Sequence, residues 1–489
     1  MTNALVGRFD RLLGEGVEAT VTAKHRRRLS KLGWRRVFEP SSPGVFAAGD
    51  PPPREGCQLD VLIDGANALP EIAEAISQAK RFVHITGWHL EPAFELVRGR
   101  PNGAVGVLLA EMAEKVDVRV LVWSGAPVPL FHPSRSEVSE TLDNLTRHTR
   151  IQAQGDPKEH PFHCHHEKTV IIDGEVAFVG GIDMTSSAGD RYDVQAHHAR
   201  RSMGWHDVGT RLRGPAVADV NDHFRTRWLE LTQEELPALP APEPAGNSTV
   251  QVVRTVEEDM YDSLPRGDFS IFESYARVLR SARELIYLEN QFLWSPELVS
   301  IIAEKLRHPS TPEFRVVVLL PAKANNGAED TKGQVGRLIA ADDDAGDQTK
   351  RFLAVTIRAL SPTHDRADPV YVHAKVAAVD DRWLIVGSAN LNAHSLFNDT
   401  EMCVATDDAT LARDTRIRLW AEHLEMDEAT VRDTPATVLV DDRWHPIADE
   451  QLERDRANLP ATHRLLELPG ASRRSARLLG PLNGLFTDG

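Results

Sequence analysis

Histidine and lysine two residues apart, with aspartate five residues further on, occur twice in this chain. The first set is His166, Lys168 and Asp173; the second is His373, Lys375 and Asp380. An imidazole beside an ammonium suits phosphoryl chemistry, because the ring can attack phosphorus or carry a proton while the ammonium neutralises non-bridging oxygens. One HxKxxxxD is short enough to arise by accident. Two copies, each followed in the same register by Gly180-Gly181-Ile182-Asp183 or Gly387-Ser388-Ala389-Asn390, form a specific pattern.

Cleaving a phosphodiester in one displacement needs an activated water. A histidine nucleophile divides the task into two steps through a covalent intermediate. Two imidazoles facing one phosphate take complementary parts: one attacks phosphorus, and the other protonates the leaving alkoxide and then deprotonates water. Lys168 and Lys375 would hold the phosphate oxygens, with Ser388 and Asn390 adding hydrogen bonds as charge builds. Such a site is expected to work without metal or other cofactor. Asp173 and Asp380, at strand ends, are expected to hold a turn or the neighbouring lysine. The run His160, His163, Cys164, His165 and His166 also invites a zinc reading, but strand alternation sends neighbours to opposite faces, and no metal is expected there.

The elements that position these residues repeat as well. His166, Lys168 and Val170 alternate with Glu167, Thr169 and Ile171 as on a strand, Asp173-Gly174 reads as a tight turn, and 176–179 as the returning strand. Upstream, 58–63, 82–85 and 118–123 read as strands, with a helical stripe at Leu69, Ile72, Ile76 and Ala79, a helix near 108–115 and a partly helical connection through 141–147. In the second half a stripe at Ile271, Tyr275, Val278, Leu279 and Ala282 precedes strand 285–288. A helix near 298–306, strand 315–320 and a Gly/Asp-rich connection 322–350, read either as a lid or as a solvated loop, follow. Strands separated by helical patterns indicate an α/β body with parallel or mixed sheets. Residues 82–85 and 285–288 correspond at nearly the spacing that separates the two histidines, so the halves are structural duplicates. Trp88-His89 and Glu289-Asn290-Gln291 end equivalent strands and face either the cleft or the core.

This gives a basic segment and linker at 1–55, a first half at 56–231, a Pro/Ala-rich linker at 232–249, a second half at 250–430 and a tail at 431–489. The basic residues Lys24, His25, Arg26, Arg27, Arg28, Lys31, Arg35 and Arg36 suit either anionic lipid headgroups or a solvated helix face paired with an acidic body, and the charge pattern favours the second. The role of Arg473, Arg474 and Arg477 is not legible. An apolar share of 41 % and a charged share of 26 % are those of a globular protein, and a net charge of −16 opposes duplex-DNA binding. Three dispersed cysteines, no signal-like leader and no membrane-length apolar run lead to the expectation of a cytoplasmic monomer, with any membrane contact peripheral and no nucleic-acid partner.

The paired motifs and their Gly-rich tails resemble the phospholipase D superfamily. Further segments resemble plant and other eukaryotic-type phospholipases D: Asp190-Arg191-Tyr192-Asp193, Trp205-His206-Asp207 with Arg213-Gly214-Pro215, Ile286 to Gln291, and Asp399-Thr400-Glu401. The resemblance covers roughly 57–425. It implies two pseudo-symmetric α/β/α-sandwich halves with the active site between them, His166 as nucleophile, His373 as general acid and base, and Asp207 and Glu401 as carboxylates orienting the imidazoles. Asp183 stands where the family commonly has Asn, and is expected to be turned away or hydrogen-bonded. The activity implied is hydrolysis of a phospholipid such as phosphatidylcholine to phosphatidic acid, with transphosphatidylation when an alcohol outcompetes water. Alternatives are a cardiolipin-synthase-like phosphatidyltransferase, a superfamily nuclease and a catalytically lapsed scaffold.

Overall fold

The computed structural model describes residues 2–39, 42–127, 132–160, 163–187, 189–200, 202–323 and 328–470. Each half is organised on a mixed sheet, and the two sheets have the same order. In the first, Gln152–Asp156, Asp117–Trp123 and Phe82–Gly87 run parallel, and Thr169–Ile172, Val176–Gly180, Val208–Arg213 and Arg54–Ile63 continue antiparallel. In the second, Phe352–Leu360, Arg315–Leu319 and Leu285–Glu289 are parallel, followed by Val376–Val379, Trp383–Gly387, Glu401–Thr406 and Ser248–Val256. The sheets join where Arg54–Ile63 pairs antiparallel with Ser248–Val256.

Strand Leu285–Glu289 shows why these segments read as continuous apolar runs. Leu285 and Tyr287 enter the central core, whereas Ile286 and Leu288 enter the outer core of the second half. Both faces are buried, so no polar alternation survives. The central core is common to both halves and includes Val220, Phe224 and Trp228 of helix Val217–Thr232 with Ile417 and Trp420 of helix Ala409–Leu424. Outer helices Gly65–Ser77 and Val105–Ala113 cover the first sheet, and Ser270–Ser281 and Pro296–Arg307 cover the second.

The turn aspartates fix corresponding corners. Asp173, at φ +57°, accepts backbone N–H groups of Lys80, Arg81 and Phe82, and Asp380, at φ +53°, accepts those of Arg283, Glu284 and Leu285. Each carboxylate therefore ties the turn after its motif to the start of the neighbouring strand.

Several segments are more structured than expected. The connection 322–350 contains helix Ala328–Asp343, whose Val335, Leu338 and Ala341 are buried at helical spacing, so it is not an irregular loop. Part of 40–53 is packed rather than a free linker: Val45 and Ala47 lie in the outer core of the second half, and the Ala47 N–H donates to Gln251. The tail contains helix His445–Arg456 and strand Leu465–Glu467, which extends the second sheet beside Phe352–Leu360. Arg473, Arg474 and Arg477 lie outside the described residues. In the basic N-terminal segment, Arg28 is bound to Glu257 and Glu258, His25 to Glu297, and Arg36 to Glu273, so these three are paired with the body. Among the described residues, no helix is long and apolar enough to cross a membrane.

Candidate active site

The two motifs meet through backbone pairing between the halves. The Thr400 carbonyl accepts the N–H groups of His166 and Glu167 at 2.8 and 3.0 Å, and the His206 carbonyl accepts those of His373 and Ala374 at 2.8 and 3.1 Å. His166 to Lys168 precede strand Thr169–Ile172 instead of lying within it, so their backbone groups remain available to this partner. Strand Gly204–His206 likewise pairs in parallel with Ala367–Val372, setting His206 opposite Val372.

This pairing exchanges the orienting carboxylates. His166 Nδ1 donates to Glu401 Oε1 across 3.0 Å, and His373 Nδ1 donates to Asp207 Oδ2 across 2.7 Å. Each imidazole is thus oriented by the other half of the chain. An ionised carboxylate can only accept, so in that state Nδ1 carries the proton and Nε2 is left for chemistry.

The Gly-rich tails make room for these contacts. A Cβ at Gly181 would stand 2.2 Å from Asp207 Oδ1, a clash no rearrangement of a short carboxylate relieves. Ser388, its counterpart, donates its hydroxyl to Glu401 Oε2 and accepts the Met402 N–H at 3.1 Å. Ser388 therefore serves the carboxylate that holds His166. Ser395, which no motif singled out, also donates to Glu401, at 2.5 Å.

Lys168 and Lys375 each cap the carbonyl of their own histidine, His166 and His373. Asp183 is ion-paired, its Oδ2 lying 3.3 Å from Lys168 Nζ. At the equivalent position Asn390 donates to Gln291 Oε1, which also accepts from Lys375, both at 3.3 Å. Gln291 thus reaches the site, whereas Trp88 packs against Trp123. A third cation, Arg191, lies over the Trp205 ring at 3.5 Å, and that ring packs against His373 with centroids 4.5 Å apart. Arg191 was legible only as one letter of a resembling segment.

Electrostatics tie these groups into one site. Burial holds His373 well below the usual imidazole range, and positive charge on Lys375, Arg191, Lys168 and His166 adds to it. The influence of His166 and Lys168 on His373 crosses from one half to the other. Burial also brings Lys375 down to about 7 and raises Asp207. Glu401 is pushed up to about 8 by burial, against the charge of Lys168 and the hydroxyls of Ser388 and Ser395.

Within the histidine run around Cys164, His160 and His163 stay together on Glu257, while His165 and His166 take separate partners. His163 meets Glu257 at 2.7 Å, His165 meets Thr400 at 2.9 Å, and His166 meets Glu401. Beneath them, Arg227 binds Asp156 at 2.7 Å and Glu167 at 2.5 Å, supporting the backbone between His166 and Lys168.

Two family profiles match the two halves: "Phospholipase D" over residues 75–204 and "Cardiolipin synthase, PLD-like domain" over 275–421. Phospholipase D A of Dictyostelium discoideum is 27 % identical over 76 % of this chain and 36 % of its own length. Phospholipase D alpha 4 of Arabidopsis thaliana is 24 % identical over 80 % of this chain and 70 % of its own, and phospholipase D2 of Bos taurus is 24 % identical over 74 % and 50 %. The chain therefore spans about a third of the first relative and half of the last. In fold it is similar to phosphatidylserine synthase of Haemophilus influenzae Rd KW20, with a TM-score of 0.51 at 13 % identity over 82 % of this chain and 93 % of that one. Duplicated sheets, paired motifs and both profile matches agree: the chain belongs to the phospholipase D superfamily, with similarity to its plant and other eukaryotic-type members.

Proposed function

We propose that this protein is a phospholipase D type phosphodiesterase that cleaves a glycerophospholipid, such as phosphatidylcholine, to phosphatidic acid and the head-group alcohol. The observation that carries this reading is the exchange of carboxylates: His166 on Glu401 and His373 on Asp207 give two oriented imidazoles in one cationic site.

In the proposed reaction His166 Nε2 forms a bond to phosphorus as the bond to the head-group oxygen breaks. His373 gives that oxygen its proton. His373 then takes a proton from water, whose oxygen displaces His166 and releases phosphatidic acid. Lys168, Lys375 and Arg191 offset the charge on the non-bridging oxygens. A bound phosphodiester anion also cancels part of the positive field that depresses His373, so substrate binding itself favours loading the proton the acid must deliver.

The assay is incubation with labelled phosphatidylcholine and ethanol. Phosphatidic acid and phosphatidylethanol are expected; inertness toward every phospholipid would overturn the reading. The profile matched by the second half favours a second reading, a cardiolipin-synthase-like phosphatidyltransferase, which cardiolipin formation without phosphatidic acid would support. DNA cleavage would point to a nuclease, and silence on all phosphodiesters to a scaffold.

A further inference from the structure

One residue before Asp207, the His206 ring enters a second group of buried ionisable side chains that the phosphoryl chemistry does not use. Asp64, His197, His206 and Glu422 each turn one ligand-type atom inward, and the four atoms lie within 4.8 Å of one another. His197 Nε2 is 2.8 Å from Glu422 Oε1 and 3.7 Å from Asp64 Oδ2; His206 Nδ1 is 3.0 Å from Asp64 Oδ1 and 3.3 Å from Glu422 Oε1. Tetrahedral zinc with bonds of about 2.0 Å sets its ligand atoms about 3.3 Å apart. The separations of the two histidines from the two carboxylates straddle that edge, with Asp64 facing His206 through Oδ1 and His197 through Oδ2.

Two further features point the same way. A histidine that ligates a metal usually gives its other ring N–H to a carboxylate, which fixes the tautomer. Here His197 Nδ1 meets Asp193 Oδ2 at 2.9 Å, and His206 Nε2 meets Glu289 Oε2 at 2.8 Å. Those carboxylates are anchored in turn, Asp193 by Arg200 and Glu289 by Tyr287 and His423. In addition, Asp64 Oδ2 is fully buried without a hydrogen-bond partner, directed toward His197 from beyond bonding distance.

We propose that Asp64, His197, His206 and Glu422 bind one divalent transition-metal ion, with zinc the best match to two nitrogen and two oxygen ligands. Asp64, His197 and His206 come from the first half and Glu422 from helix Ala409–Leu424 of the second, so the ion fastens the halves together. It also braces the candidate active site. The Asp64 N–H donates to the Asp207 carbonyl at 2.8 Å, the Asp207 N–H donates back to Asp64 Oδ1 at 3.2 Å, and the His206 carbonyl holds His373. Binding would require each inner ring nitrogen unprotonated, leaving each histidine neutral and donating only outward.

The test needs no enzymatic assay. Tag-free full-length protein from zinc-supplemented culture is gel-filtered and its metals measured by mass spectrometry, beside His197→Gln and the exposed-site control His308→Gln. About one ion per chain is expected in wild type and control, with less than a fifth of that in His197→Gln. X-ray absorption should show four nitrogen or oxygen neighbours and no sulfur. Stripping the ion with chelator in mild denaturant should lower the melting temperature, and added zinc should restore it. Metal-free wild type whose melting ignores zinc would establish a purely hydrogen-bonded network and overturn the proposal, as would full metal retention in His197→Gln. If that variant does not fold, wild-type stoichiometry and the zinc dependence of melting decide the matter alone.

Discussion

Ser388 offers a prediction that separates holding a carboxylate from holding a substrate. Its hydroxyl donates to Glu401 Oε2, and in the proposed reaction Glu401 must be ionised to orient His166 and to stabilise the cation formed when that ring attacks. Burial keeps this carboxyl up at about 8, so kcat/KM for the free protein should rise with pH up to that region. A hydrogen bond to a buried carboxylate is worth about 1.5–3 kcal/mol, and Ser388→Ala should therefore move the acid limb upward by about one to two pH units. The ratio of wild-type to variant kcat/KM should be about 10- to 100-fold at pH 7 and shrink toward pH 10. Taking the ratio removes the separate titration of Lys375. Ser395→Ala should behave alike, because Ser395 donates to the same carboxylate. A ratio that stays flat from pH 6 to pH 10 would refute the reasoning and return Ser388 to the phosphate. The same shift bears on stability. A carboxyl near 8 when folded and near 4.5 when unfolded favours folding fully below pH 4.5, and roughly 5 kcal/mol is withdrawn as pH rises through 8. Glu401→Gln should flatten that part of the pH dependence in urea titrations, and an unchanged slope would contradict it.

His166→Ala should abolish turnover and the acid-labile phosphoprotein trapped in a rapid quench while leaving the melting curve near wild type; labelled protein from that variant would move the nucleophile elsewhere. Lys375→Met should lower kcat by about 100- to 1,000-fold, the usual cost of one lost donor to developing charge, and a rate within threefold of wild type would remove Lys375 from the site. Arg227→Met leaves Asp156 and Glu167 buried without their counter-charge and should cost about 3–5 kcal/mol in urea unfolding. A change below about 1 kcal/mol would mean that neighbouring histidines compensate.

The strands that pair beside the motif segments were legible because burial on both faces leaves a plain signature, as in 82–87 and 285–289. The turn at Asp173 and the turn at Asp380 were legible from the Asp beside each motif's end and its repeat. The exchange of Asp207 and Glu401 was not, since each sits closer in sequence to the histidine of its own half and nothing local marks a partner 166 or 235 residues away. Helix Ala328–Asp343 escaped notice because Gly336 and the run Asp342-Asp343-Asp344 mask a thin stripe of three buried apolar residues. Asp64, His197, His206 and Glu422 are spread over most of the chain at no motif spacing, so only the fold brings them together.

The exchange makes each half depend on the other for the orientation of its histidine. In either half alone, the histidine would keep its lysine but lose the carboxylate that selects its tautomer, and the Nε2 lone pair would be available only part of the time. A gain from duplication would then come from reciprocal orientation, beyond the added positive charge. The N-terminal segment extends the same logic: Arg28 binds Glu257 and Glu258 while donating to Asn398 Oδ1 and the Phe397 carbonyl, three and four residues before Glu401. The basic cluster, read from its charge pattern as a helix face paired with the acidic body, is thereby partly spent on holding the turn that delivers the carboxylate to His166. Truncation before residue 32 would be expected to disturb His166 more than His373, because the Asp207 side is braced independently through Asp64.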